Sequence, residues 1–131
     1  MSIYIDKVMI VKRDGGFLSL EGENVNDETL ETIKKFWDGN EVARIELENI
    51  DDCKTMVIFT NNKLFHVGIV DMFDEENSYM DNGSEETELV EIDGNVFEKR
   101  FIHTNKDGVW KVLEEFYATG EKASQVEWCV E

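Results

Sequence analysis

Apolar positions along this chain recur mostly at every second residue, and in two places at every third and fourth, so the pattern predicts a sheet carrying two helices. Ile3–Val11 is apolar on both faces, as a central strand would be. Arg13-Asp14-Gly15-Gly16 reads as a turn, after which Phe17–Leu20 pairs back as a short strand. Asn26 is expected to cap the first helix, with Asp27 and Glu28 in an opening turn where the helix dipole favours negative charge. Val25 before that cap and Leu30 beyond it form a hydrophobic staple. Leu30, Ile33 and Trp37 share one helix face with Phe36 at its margin, and Gly39 supplies the stop.

Strand periodicity then returns. In Val42–Glu48, Ala43, Ile45 and Leu47 face one side and Arg44, Glu46 and Glu48 the other. Thr55–Thr60 and Leu64–Val70 flank a hairpin across Asn61-Asn62, residues that tolerate a positive φ. Glu86–Ile92 and Asn95–Ile102 flank a second hairpin across Asp93-Gly94. A two-residue loop there sets Val90 opposite Phe97 and Glu88 opposite Lys99. Between the hairpins, Asp71–Glu85 has no clear period and reads as a long acidic loop bearing Met72, Phe73, Tyr79 and Met80. Connections of that length are uncommon in compact domains unless they are functional or disordered.

The C-terminal stretch is the most informative. Thr104 with Asp107 fits an acidic capping box, or Asp107 is itself the cap. Val109, Val112, Leu113, Phe116 and Tyr117 form one apolar helix face, and Gly120 sits where a left-handed terminating residue is wanted. Val126, Trp128 and Val130 then alternate with Glu127 and Cys129 as a closing strand. Together these elements make a single α+β domain over residues 1–131, a mostly antiparallel sheet with two main helices packed on it.

Glu115, Phe116, Thr119, Gly120, Val126 and Trp128, an "EF-x-x-TG … V-x-W" stretch, resemble the C-terminal signature of immunity protein family 1 of bacterial polymorphic toxin systems. The likeness covers about the last 30 residues, and on physical grounds those residues are a helix stop and a buried aromatic. What the resemblance implies is a protein made beside a toxin, binding the toxin's C-terminal domain and protecting the producing cell during bacterial competition. Toxin domains associated with the family are often nucleic-acid deaminases.

Charge agrees with that expectation. Thirty acidic residues against 13 basic give a net −17, a field that repels nucleic acid and anionic membranes and attracts basic partners. From Leu64 to Glu98 there is no lysine or arginine but there are eleven aspartates and glutamates. The hydrophobic fraction of 41% is that of a folded domain, and no apolar run reaches membrane-spanning length. Asp6 interrupts the N-terminal apolar run and no basic leader precedes it, so a cytoplasmic location is expected, with Cys53 and Cys129 as reduced packing residues.

Catalytic constellations are not apparent. His66 and His103 have no ligand-spaced neighbours, so no metal site is expected. Asp71–Glu76 lacks the alternating oxygen ligands and glycine of a calcium loop. Two carboxylates placed by tertiary structure could still serve a small hydrolase, which leaves that reading open behind an acidic mimic module without a toxin partner. The favoured expectation is a non-enzymatic inhibitor without cofactor, a monomer or weak homodimer, occluding a basic active site. Its contact residues are expected at Asp71, Phe73, Asp74, Glu75, Glu76, Tyr79 and Asp81, with Glu85, Glu86 and Glu88 adding long-range field.

Overall fold

A computed structural model of the chain describes residues 4–131. Strands β1 (Lys7–Lys12) and β2 (Phe17–Glu21) are followed by helix α1 (Thr29–Asp38), then β3 (Val42–Asn49), β4 (Lys54–Thr60), β5 (Phe65–Asp71) and β6 (Glu76–Met80). Next come β7 (Leu89–Ile92), β8 (Asn95–Glu98), the two-residue β9 (Ile102–His103), helix α2 (Lys106–Thr119) and β10 (Trp128–Val130). Among the described residues, β7 and β8 form a small sheet of their own, and the rest join one sheet in the order β10-β6-β5-β4-β3-β1-β2, with β9 beside β5. Every pairing is antiparallel. The fold is α+β.

Register explains where the core sits. Ile10, Ile45, Ile58 and Val67 lie opposite one another across four strands, and Val8, Leu47, Met56 and Ile69 make the next row on the same face. The two helices bring Ile33, Trp37, Val109, Val112, Leu113 and Phe116 into this same buried cluster. Trp37 closes its middle, its ring 5.4 Å from Phe65 and 5.7 Å from Trp110. The opposite face carries the row Met9, Glu46, Val57, Gly68, Tyr79 and Cys129, in which the glycine is buried and the other residues are half-buried.

Several expected elements take different bounds. The expected strand Ile3–Val11 begins at Lys7, second from an edge of the sheet, with Ile3 outside the described residues. A register shift at Val11/Lys12 sets Lys12 against Val42, so Ala43 is bulged and Val42 takes the buried position expected of Ala43. Asn26 lies a turn ahead of α1, its Oδ1 accepting from Glu28 N at 2.9 Å while Thr29 opens the helix. Gly39 caps the end of α1 as expected, but it keeps φ at −80° and the left-handed residue is the next one, Asn40, at φ 57°. The α2 cap is neither Thr104 nor Asp107 but Asn105, which accepts from Gly108 N at 3.0 Å. Gly120 is left-handed at φ 73°, as its position predicts.

The largest correction concerns Asp71–Glu85. It is not one long loop: β5 runs through Asp71, residues 72–75 turn, and β6 occupies Glu76–Met80 between β5 and β10. The Asp93-Gly94 hairpin forms with both turn residues at positive φ, 48° and 88°, and with Val90 opposite Phe97, but its strands are shorter than expected.

Candidate functional site

Two hairpin turns and the end of α2 meet at one end of the main sheet. The β3–β4 turn, Ile50–Cys53, is tied to the β5–β6 turn by a hydrogen bond from Met72 N to Cys53 O at 2.9 Å. Asp71 Oδ1 accepts from Phe73 N at 3.0 Å and Asp74 N at 3.1 Å, an Asx turn that fixes the backbone beneath the phenyl ring. Asp6 accepts from Ile50 N at 2.8 Å, holding the neighbouring turn. Asn49 is buried and donates to Asp52 at 3.1 Å and to Gly120 O at 3.4 Å, which joins the turn to the helix end.

This tip presents large apolar side chains to solvent: Phe73 is 80% exposed, Met72 72% and Ile50 59%. Carboxylates surround them. Asp51, Asp52, Lys54, Asp71, Phe73, Asp74 and Glu121 line a cup of about 380 Å³. Lys54 pairs with Glu121. Burial works against the lysine's charge, but the Glu121 hydrogen bond and the charges of Glu121, Asp71 and Asp52 outweigh it and raise its pKa above the ordinary value. One ammonium shared among these acids leaves the cup negative. Nearby, Glu76 and Lys122 border a second recess with Asp71, Asp74 and Glu121.

The expected contact set is therefore divided. Asp71, Phe73, Asp74, Glu75 and Glu76 belong to the tip. Tyr79 is half-buried on the open sheet face, and Asp81 sits beyond β6, its carboxylate accepting from Gly83 N at 2.7 Å. Glu85, Glu86 and Glu88 lead into the β7–β8 hairpin instead, where Glu86 and Glu88 pair with Lys99 at 2.9 and 3.4 Å. Ile50, Asp51, Asp52 and Glu121 were not expected at this site. Their only sequence signal is an acidic pair in a turn after an alternating strand.

The resemblance residues hold the helix end. Phe116 is fully buried, and Thr119 Oγ1 donates to Glu115 O at 2.8 Å and accepts from Glu121 N at 3.1 Å. Glu115 accepts from Ser124 N at 3.0 Å, and Val126 is half-buried. Trp128, expected in the core, is half-buried on the edge strand β10, with its indole N–H donating to Ala123 O at 2.9 Å.

Across the open face lies an aromatic group. His66 is 4% exposed, stacked on Phe97 with ring centres 3.8 Å apart, and its Nδ1 is covered without a hydrogen-bond partner. Burial, and then the nearby His103, lower its pKa to about 4. Tyr79 lies across Gly68, where a Cβ would come within 3.4 Å of the ring, so the glycine admits the close approach. His103 Nε2–H donates to Met80 O at 2.7 Å. Among the described residues, no three His, Cys, Asp or Glu side chains group as a metal site, and no helix is long and apolar enough to cross a membrane. Cys53 is exposed, Cys129 half-buried, and both are free.

The class these features define is a single α+β domain with a helix-covered sheet and an apolar, acidic tip. No family model and no curated protein matches the sequence. Among solved structures, the fold is similar to the crystal structure of a hypothetical protein from Neisseria gonorrhoeae, with a TM-score of 0.58 and 14% identity over 95% of this chain and 94% of that one.

Proposed function

We propose that this chain is an immunity protein that binds a basic, nucleic-acid-targeting toxin domain and inhibits it by covering the active-site cleft. The observation that carries the reading is the tip, where Ile50, Met72 and Phe73 stand exposed on two interlocked turns within a ring of carboxylates. Apolar side chains exposed together on a fixed scaffold suit a partner surface, and each is worth about 1.5–3 kcal/mol when buried. Because hydrogen bonds to Asp71 already order the turn, docking loses little backbone freedom. The acidic ring matches a cleft built for phosphates, and the net charge of −17 speeds the encounter. The C-terminal resemblance to family-1 immunity proteins supports the same reading. Inhibition of this kind needs neither cofactor nor turnover.

Coexpression with the toxin domain encoded beside this chain tests the proposal. Growth should be rescued, and a triple variant with Ile50→Ser, Met72→Ser and Phe73→Ser should keep its melting temperature yet lose protection. Absence of rescue by the unaltered chain overturns the inhibitor reading. Full protection by the folded triple variant moves the interface away from the tip.

A further inference from the structure

A second surface lies on the open face of the sheet, apart from the tip. The β7–β8 hairpin stands over this face, and the groove between them measures about 360 Å³. Its lining includes His66, Tyr79, Phe97 and Phe101, with Leu89 and Val96 on the hairpin wall. The rings are in mutual contact: Tyr79 and Phe101 centres are 5.2 Å apart and His66 and Tyr79 centres 5.6 Å. Residues on the hairpin alternate, so Val90 and Phe97 share one face while Leu89, Glu91, Val96 and Glu98 share the other. Along the groove this leaves Leu89 67% and Val96 56% exposed.

Charge at the groove indicates what enters it. Glu98 and Glu131 stand at its edge, and the Arg100 guanidinium bridges them at 3.3 and 3.5 Å while lying 4.5 Å from the Phe101 ring centre. The chain's own arginine thus shows how this surface holds a planar cation, by two carboxylates and an aromatic face. Two carboxylates share one guanidinium, so the edge retains negative charge. At about 360 Å³ the groove sits at the low end of small-ligand pockets, a size for side chains rather than a large cofactor.

We propose that this groove is a docking site for a segment of a protein partner that carries an aromatic side chain flanked by arginine. The ring lies against Leu89, Val96 and Tyr79, and its arginines reach Glu98 and Glu131. The site does not rest on the toxin reading. Tyr79 is three residues past Glu76 on β6, on the order of 10 Å along the strand from the tip, so the two surfaces can be altered separately.

The test is an NMR titration of the full chain with acetyl-Arg-Trp-Arg-amide. Two control peptides, Arg-Gly-Arg of equal charge and Ser-Trp-Ser with the ring alone, are titrated in parallel. Saturable shifts are expected at Tyr79, Leu89, Val96 and Phe101 with the first peptide only. The double variant Leu89→Ser, Val96→Ser, both exposed and so tolerated by the fold, should weaken binding at least fivefold, whereas Phe73→Ser should not. The proposal is overturned if the groove resonances do not saturate, or if Arg-Gly-Arg produces the same shifts. It also fails if Phe73→Ser, rather than the groove variant, abolishes them.

Discussion

Burial, with the neighbouring His103, takes the His66 pKa from 6.5 down to about 4. In the unfolded chain the ordinary value returns, so between those values the unfolded state binds a proton that the folded state does not. Stability linked to His66 is therefore complete above pH 6.5 and is lost as the pH falls towards 4, by about 3 kcal/mol in all. The groups facing the ring include Phe59, Tyr79, Phe97 and Phe101, with Glu98 and Glu131 at the groove edge, and none of them hydrogen-bonds the imidazole. Comparing urea unfolding of the unaltered chain with His66→Phe cancels the titration of the many carboxylates common to both. The unaltered chain should lose about 3 kcal/mol relative to the variant across that window, and a pH-independent difference would contradict the assignment. Gly120 is a second sensitive residue. At φ 73° an alanine is strained by about 1–3 kcal/mol, and its Cβ would lie 2.6 Å from Asn49 Nδ2. Gly120→Ala should lower the melting temperature by several degrees and, by displacing Asn49, loosen the Ile50–Cys53 turn. Faster amide exchange at Ile50 and Asp52 is the specific sign.

The helix and strand that follow one another at the C-terminal end contribute unequally. Phe116 is fully enclosed between α2 and the sheet, so Phe116→Ala should cost about 3–5 kcal/mol. Trp128 lies on an edge strand and is only half-buried, so Trp128→Ala should cost at least about 1 kcal/mol less, as seen by chemical denaturation. Equal losses would mean that β10 bears more of the core than its position indicates. Legibility in the sequence follows the range of the forces involved. The Asp93-Gly94 hairpin and the α2 apolar face could be read because turn chemistry and helical period act within a few residues. Strand β6 could not: Glu76–Met80 mixes polar and apolar residues, and its extended form depends on β5 and β10, which pair with it from both sides. The tip was half legible for the same reason. Phe73 and its acidic neighbours stood out, but only the sheet brings Ile50–Asp52 beside them, across the pairing of β4 with β5. The reverse error placed Glu85, Glu86 and Glu88 with the tip, because the run of acidic residues continues in sequence after the chain has left that end of the sheet.

At the scale of the molecule, a net charge of −17 is distributed over more than one surface, and its parts can be distinguished by kinetics. The tip holds Asp51, Asp74 and Glu75 as exposed carboxylates around Phe73, whereas Glu85, Glu88 and Glu91 surround the approach to the hairpin. If the tip enters a basic cleft, its charges act during approach and its apolar side chains act after contact. Neutralising Asp51→Asn, Asp74→Asn and Glu75→Gln should slow association with the toxin domain on the order of tenfold at low salt, with little change in dissociation. Near physiological ionic strength the gap should narrow, since charges are screened beyond about 8 Å. Phe73→Ser should do the opposite, leaving association near its original rate and speeding dissociation, because a buried ring resists separation without steering approach. The matched set Glu85→Gln, Glu88→Gln and Glu91→Gln removes the same amount of charge at the hairpin. It should slow association less, and equally slow association for the two sets would show that only total charge matters and that the tip has no privileged orientation towards the partner.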